Sequence, residues 1–190
     1  MNLLKEKILE AGRVEAGEVL KVDSFLNHQL DIELLNEIGK EFKKRFNNKN
    51  ITKILTAEVS GIAIAAITAQ YFNVPVIFAK KTESKNLDNE TYEGEVYSYT
   101  KDKHYKIRVS KRYISQEDHL LIIDDFLANG QALLGLKQIV DEAKANLVGA
   151  GIVIEKGFQK GRKLAEEANI NVESLAIIRE MQEEKIVFED

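Results

Sequence analysis

Apolar and polar positions follow two periods along this chain. Across residues 31–46 (DIELLNEIGKEFKKRF), Ile32, Leu35, Ile38, Phe42 and Phe46 recur near helical spacing, and Asp31 stands where an N-cap belongs. The opening MNLLKEKILEAGR interleaves charges with apolar residues and predicts a second amphipathic helix. Short apolar runs at 53–57, 76–79, 120–123, 147–154 and 175–178 predict buried strands. Between them, 61–72 reads as a buried, alanine-rich helix, and 131–145 and 159–168 as further helices. Strands alternating with helices imply an α/β fold: right-handed crossovers and a central parallel sheet flanked by helices on both faces. Pro75 is the single proline, and no linker, repeat or low-complexity tract divides the chain, so one domain over 1–190 is expected.

One stretch breaks the rhythm. Residues 80–113 are polar and carry Tyr92, Tyr97, Tyr99 and Tyr105, and GEVYSYT and YKIRVS alternate at strand period. They predict an antiparallel hairpin, about 85–113, protruding from the core. A long polar insertion in an α/β domain is either a lid or binding loop or a passive surface excursion.

The segment LLIIDDFLANGQAL holds the clearest chemistry. Leu120 to Ile123 form a buried strand, Asp124 and Asp125 follow at its carboxyl end, and 126–130 form a loop before a helix that opens near Gln131. Ligands of open α/β sheets bind beyond the carboxyl ends of the strands. Free amides at a helix N-terminus, aided by its dipole, bind phosphate. Gly130 permits close backbone approach. The residues therefore offer a phosphate cradle beside two carboxylates. Such acids also serve metal sites or simply cap a loop. Neighbouring strand residues point to opposite faces, so the two share a ligand only if the chain is already turning away there.

Composition narrows the functions. Among 190 residues, 44% are hydrophobic and 31% charged, as in a soluble globular protein. No apolar run approaches the roughly 18 residues that span a bilayer, and the N-terminus lacks the apolar centre of a signal peptide. There is no cysteine, which removes disulfides and thiolate chemistry. A cytoplasmic location is the expectation. The net charge of −4 argues against a nucleic-acid partner. His28, His104 and His119 are scattered and read as ordinary polar residues.

With these residues in view, the chain resembles the type I phosphoribosyltransferases, and within them the bacterial branch that acts on xanthine. LKVDSFLNHQ, ITKILTAEVSGIA, VPVIFAKK, LIIDDFLANGQA and GIVIEKGFQKGR carry the likeness along nearly the whole length. Asn129-Gly130 replaces the usual Thr-Gly of the family's phosphate loop, and Ala132 replaces a hydroxyl residue. Backbone amides must then bind more of the phosphate. The resemblance implies transfer of ribose 5-phosphate from phosphoribosyl pyrophosphate (PRPP) to a purine, with Mg²⁺ accompanying PRPP and no direct protein ligand to the metal. It implies that Ala128, Asn129, Gly130, Gln131 and Ala132 hold the 5-phosphate. Asp124 and Asp125 would act on the ribose, and Glu58, Val59, Ser60 and Gly61, with Lys80 and Lys81, would meet pyrophosphate. Leu20, Asn27, Lys156 and Phe158 would face the base. A small hood from the two chain ends, a flexible hairpin and a homodimer are implied as well. The alternatives are another purine (guanine, hypoxanthine or adenine), or a PRPP-sensing purine repressor without catalysis.

Overall fold

In the computed structural model, the described residues are all but 16–18, 82–89, 99–101, 183–184 and 190. Tyr99 and the start of the expected hairpin, 85–89, therefore lie outside the described residues.

The amphipathic segments form the helices their spacing predicts, although Ile32, at the first turn of the second, is 53% exposed and lies off the buried stripe. Helix α1 (Asn2–Ala11) buries Leu4 and Ile8. Helix α2 (Ile32–Arg45) buries Leu34, Leu35, Ile38 and Phe42, and the Asp31 side chain accepts from Leu34 N at 3.1 Å as its N-cap. Between them lies a small antiparallel hairpin, β1 (Arg13–Glu15) and β2 (Val19–Lys21), and then a π-helical turn, Asp23–Asn27. Neither has a clear periodic signal, because each is too short to show one.

The centre is a six-stranded sheet. Its strands are β3 (Lys53–Ala57), β4 (Val76–Ala79), β7 (His119–Leu127), β8 (Asn146–Lys156), β9 (Val172–Gln182) and β10 (Lys185–Phe188), in the order β10-β9-β8-β7-β3-β4. All pairs are parallel except β9 with β10, which is antiparallel and was not foreseen. Helices α3 (Gly61–Phe72), α4 (Gln131–Glu142) and α5 (Gly161–Glu167) connect the parallel strands. The last helix is shorter than the 159–168 expected from its pattern.

Strand alternation sorts the core into two layers. Leu121 and Ile123 of β7 pack with residues of α1, α2 and α3, whereas Leu120 and Ile122 pack with α4 and α5. Helix α3 carries the chain from β3 outward to β4. Helices α4 and α5 carry it the other way, from β7 to β8 and β9. The sheet therefore changes winding direction between β3 and β7, which is where an open α/β sheet forms its ligand crevice.

The polar insertion does form an antiparallel hairpin, β5 (Thr91–Ser98) with β6 (Lys103–Ser110). Its described strands do not protrude: they dock on α4. Val96, Ile107 and Val109 are buried in the layer that also holds Leu133 and Leu136. Glu93 N donates to Glu142 Oε2 and Glu95 N to Gln138 Oε1, both at 2.8 Å. The alternating apolar residues of β6 needed a cover, and the face of α4 supplies it.

Candidate active site at the switch point

Strand β7 runs to Leu127, so Asp124, Asp125 and Phe126 are strand residues and the loop is only 128–130. This corrects the expected loop of 126–130. Asp125 points toward the N-terminal segment, where Asn27 Nδ2 donates to its Oδ2 at 3.2 Å. Asp124 faces the hairpin and α4. Both nevertheless line one cavity of about 180 Å³, with Ala57, Glu58, Ser60, Lys81, Val96, Tyr105, Ile107, Phe126 and Ala132. Pairing explains how. Strand β3 bonds β7 only as far as Ile122 and then turns away at Ala57. Beyond Ile122 the β3 side of β7 is open, and a ligand in that gap meets both carboxyls.

The surroundings of Asp124 are crowded. Its Oδ1 accepts from Asp125 N at 2.9 Å, and a Cβ placed on Gly61 would lie 3.2 Å from that same oxygen. Some of its surface still reaches solvent, but protein packs around the carboxyl itself. Burial first, and the neighbouring Asp125 charge second, push its pKa well above the ordinary carboxylate range, against a smaller opposing pull from Lys81. Tyr105 is raised too, by burial and then by the charge of Asp124.

The other expected residues fall into groups. Ala128 to Gly130 make the loop, Gly130 adopts a left-handed φ of 77°, and Gln131 and Ala132 open α4. The first turn of a helix leaves amides without intrahelical partners, so this end is disposed to receive an anion. Glu58, Val59, Ser60 and Gly61 turn from β3 into α3. Glu58 Oε1 accepts from Lys81 N at 2.6 Å, its peptide to Val59 is cis, and Val59 is 76% exposed. The lysine pair divides: Lys81 faces Asp124's cavity, whereas Lys80 lines a separate groove with Phe78, Arg108 and Arg112 at the β4 edge.

Asn27 also lines a shallower recess of about 450 Å³, with Lys21, Asp23, His28, Val59 and Ser60. Ser60 borders both this recess and the acid cavity. Leu20 is buried in the core beside Val22 and Phe25. Lys156 ends β8, and Phe158, 44% exposed, lies just beyond it. Sequence reasoning gave no role to Tyr105, Val96 and Ile107, which wall the acid cavity. The alternation of YKIRVS marked Tyr105 and Ile107 as sharing a face, but did not say what that face covers.

Residues 22–188 match the family model described as "Phosphoribosyl transferase domain". The chain belongs to the phosphoribosyltransferase family. It is 72% identical over 190 residues to a xanthine phosphoribosyltransferase of Alkaliphilus metalliredigens, covering 100% of this chain and 94% of that protein. It is 64% identical to one of Clostridium novyi, covering 100% of each. These relatives place it with the xanthine phosphoribosyltransferases. Among solved structures, the adenine phosphoribosyltransferase of Giardia lamblia superposes with a TM-score of 0.77 at 20% identity, over 92% of this chain and 96% of that one. The adenine enzyme of Rhodothermus marinus gives 0.75 at 20% identity, over 94% and 100%. At that identity, the likeness to solved structures is one of fold.

Proposed function

We propose that this phosphoribosyltransferase moves the 5-phosphoribosyl group of PRPP to N9 of xanthine, releasing pyrophosphate and forming xanthosine 5′-phosphate in purine salvage. The observation that carries the reading is the joint presence of Asp124 and Asp125 in one cavity with Ala132, at the opening turn of α4. The full-length relatives support xanthine as the base.

In this reading the amides of Ala128 to Ala132 hold the 5-phosphate. That places the ribose across β7, where Asp124 and Asp125 bond its hydroxyls. Loss of pyrophosphate from C1 leaves an oxocarbenium-like sugar, whose positive charge the ionised acids stabilise. No protein nucleophile is needed. Glu58 to Gly61 and Lys81 face the departing pyrophosphate, and Lys80 acts from the β4 edge. Mg²⁺ would arrive with PRPP and needs no dedicated protein cage, since it keeps most of its waters. When bound, the ion neutralises pyrophosphate charge and improves the leaving group.

Xanthine fits the recess beside Asn27, whose amide both donates and accepts. Leu20 supports the ring from the core side, Lys156 contributes through its backbone, and Phe158 stacks on the base. The N- and C-terminal segments and the hairpin form the hood that limits hydrolysis. A homodimer and a cytoplasmic location complete the reading. Among the described residues no helix is long and apolar enough to cross a membrane.

Pyrophosphate release measured with PRPP and each purine base tests the proposal. Xanthine should give the highest kcat/KM, and a higher value for adenine, guanine or hypoxanthine would overturn the base assignment. The double substitution Asp124→Asn, Asp125→Asn should stay folded and lose most turnover.

A further inference from the structure

The segment between β8 and α5 rests against the 128–130 loop and carries two residues proposed above to face the base. It carries Lys156 and Phe158 at one end and Gly161 at the other. Gly157 N donates to Ile178 O and Gln159 N to Lys156 O, each at 2.9 Å. At its far end, Gly161 N donates to Ala128 O at 2.9 Å. A side chain on Gly161 would collide with that carbonyl, and a Cβ on Gly130 would come within 3.1 Å of Gly161 Cα. The 128–130 loop thus rests on the first residue of α5.

The residues flanking this segment are joined by an ion pair whose carboxylate is buried and whose guanidinium is partly exposed. Glu155 is 2% exposed. Arg162 Nε donates to Glu155 Oε1 at 3.0 Å, and Nη2 donates to Oε2. Ser174 Oγ also donates to Oε2, Arg162 Nη1 donates to Val172 O at 2.9 Å, and Nη2 reaches Ser174 Oγ at 3.2 Å. Two parallel bonds from a planar fork fix orientation as well as distance. Every polar atom of the guanidinium is tied to β8 or β9. Even a buried ion pair is a weak stabiliser compared with well-packed apolar side chains. Its geometric rigidity is the property an apolar pair would not supply. Neither residue lines the acid cavity or the Asn27 recess.

We propose that Glu155 and Arg162 are positioning residues: their pair clamps residues 156–161 so that the phosphate-holding loop and the base-facing Lys156 and Phe158 keep one fixed spacing. The proposal rests on the transferase reading above. Arg162→Lys keeps the charge and loses the fork, Glu155→Gln keeps the shape and loses the charge, and Gly161→Ala strikes the Ala128 contact while leaving the pair intact.

Steady-state kinetics with PRPP and xanthine, with Tm recorded for each variant, test it. A merely structural role lowers the folded fraction, which reduces apparent kcat and leaves KM alone. The clamp instead predicts that folded Arg162→Lys and Glu155→Gln enzymes show KM for PRPP raised on the order of tenfold, with KM for xanthine rising too. KM values within about twofold of the parent in folded variants overturn the assignment. Should neither variant fold, Gly161→Ala decides, and an unchanged KM for PRPP there overturns it equally. Absence of pyrophosphate release by the parent enzyme with any purine would defeat the transferase reading itself, a different result from active variants with unaltered KM.

Discussion

Asp124 shows how one position serves function against stability. Its carboxyl is crowded by protein and lies beside a second acid, and both effects favour its proton. The folded chain therefore binds that proton more tightly than the unfolded chain does. Stability falls as pH climbs from the ordinary aspartate value to the raised one, and the penalty stands in full above it. Asp124→Asn removes the penalty, and its amide oxygen still accepts from Asp125 N. The variant is expected to melt above the parent at neutral pH, the gap closing as pH falls toward the ordinary carboxylate range. Its turnover should drop on the order of a hundredfold or more, as when one preorganised charge-stabilising group is lost. A lower Tm at neutral pH would contradict this account. The acid limb of the parent's kcat/KM should correspondingly lie above the ordinary aspartate value. Both acids were legible in IIDDF. That one gap admits them both was not, because it depends on where a different strand stops.

The hairpin is the element whose placement periodicity could not give. Alternation in GEVYSYT and YKIRVS predicts strands with one apolar face, but any apolar surface can cover such a face. The structure chooses α4, and glycines make the contact possible: a Cβ on Gly94 would collide with Gly135 O, and one on Gly135 would lie 2.7 Å from Val96 Cγ2. Gly94→Ala should push β5 off α4 at a cost of about 1–3 kcal/mol, the usual range for overpacking. Hydrogen exchange should quicken at the described amides of β5 and β6. Because Val96, Tyr105 and Ile107 wall the acid cavity, kcat should fall as well. Unchanged exchange would mean that the strands tolerate the extra methyl without moving. By contrast α2, with its Asp31 cap, was readable to within a residue, since both the cap and the buried stripe are local.

At the scale of the whole molecule, the two ends of the sheet do different work. The carboxyl ends of β3 and β7 part to form the site. At the opposite end, Asp118 ties the strands together. It accepts from Thr52 Oγ1 at 3.0 Å, Lys53 Nζ at 2.8 Å and Ser115 N at 2.8 Å. Burial alone would raise its pKa, but Lys53, the Ser115 amide and Thr52 together hold it below the ordinary value. Its contribution to stability is therefore present above the ordinary aspartate pKa and is lost as pH falls through the depressed folded value. Asp118→Ala should cost about 1–3 kcal/mol in denaturant unfolding and leave KM for both substrates unchanged. A shift in KM would show that the two ends of the sheet are coupled.

The local patterns of this chain were enough to establish the α/β class, the main helices and strands, the acid pair with its glycine loop, and the family likeness. Each depends on residues within a few positions of one another, where period, capping and turn chemistry act directly. Tertiary structure alone decided that the pairing of β3 with β7 stops short of Asp124, that Asn27 meets Asp125, that the hairpin lies on α4, and that Arg162 closes on Glu155. Those contacts join segments that no local preference links. They exist because the chain reverses its winding between β3 and β7 and must bury both faces of the sheet at once.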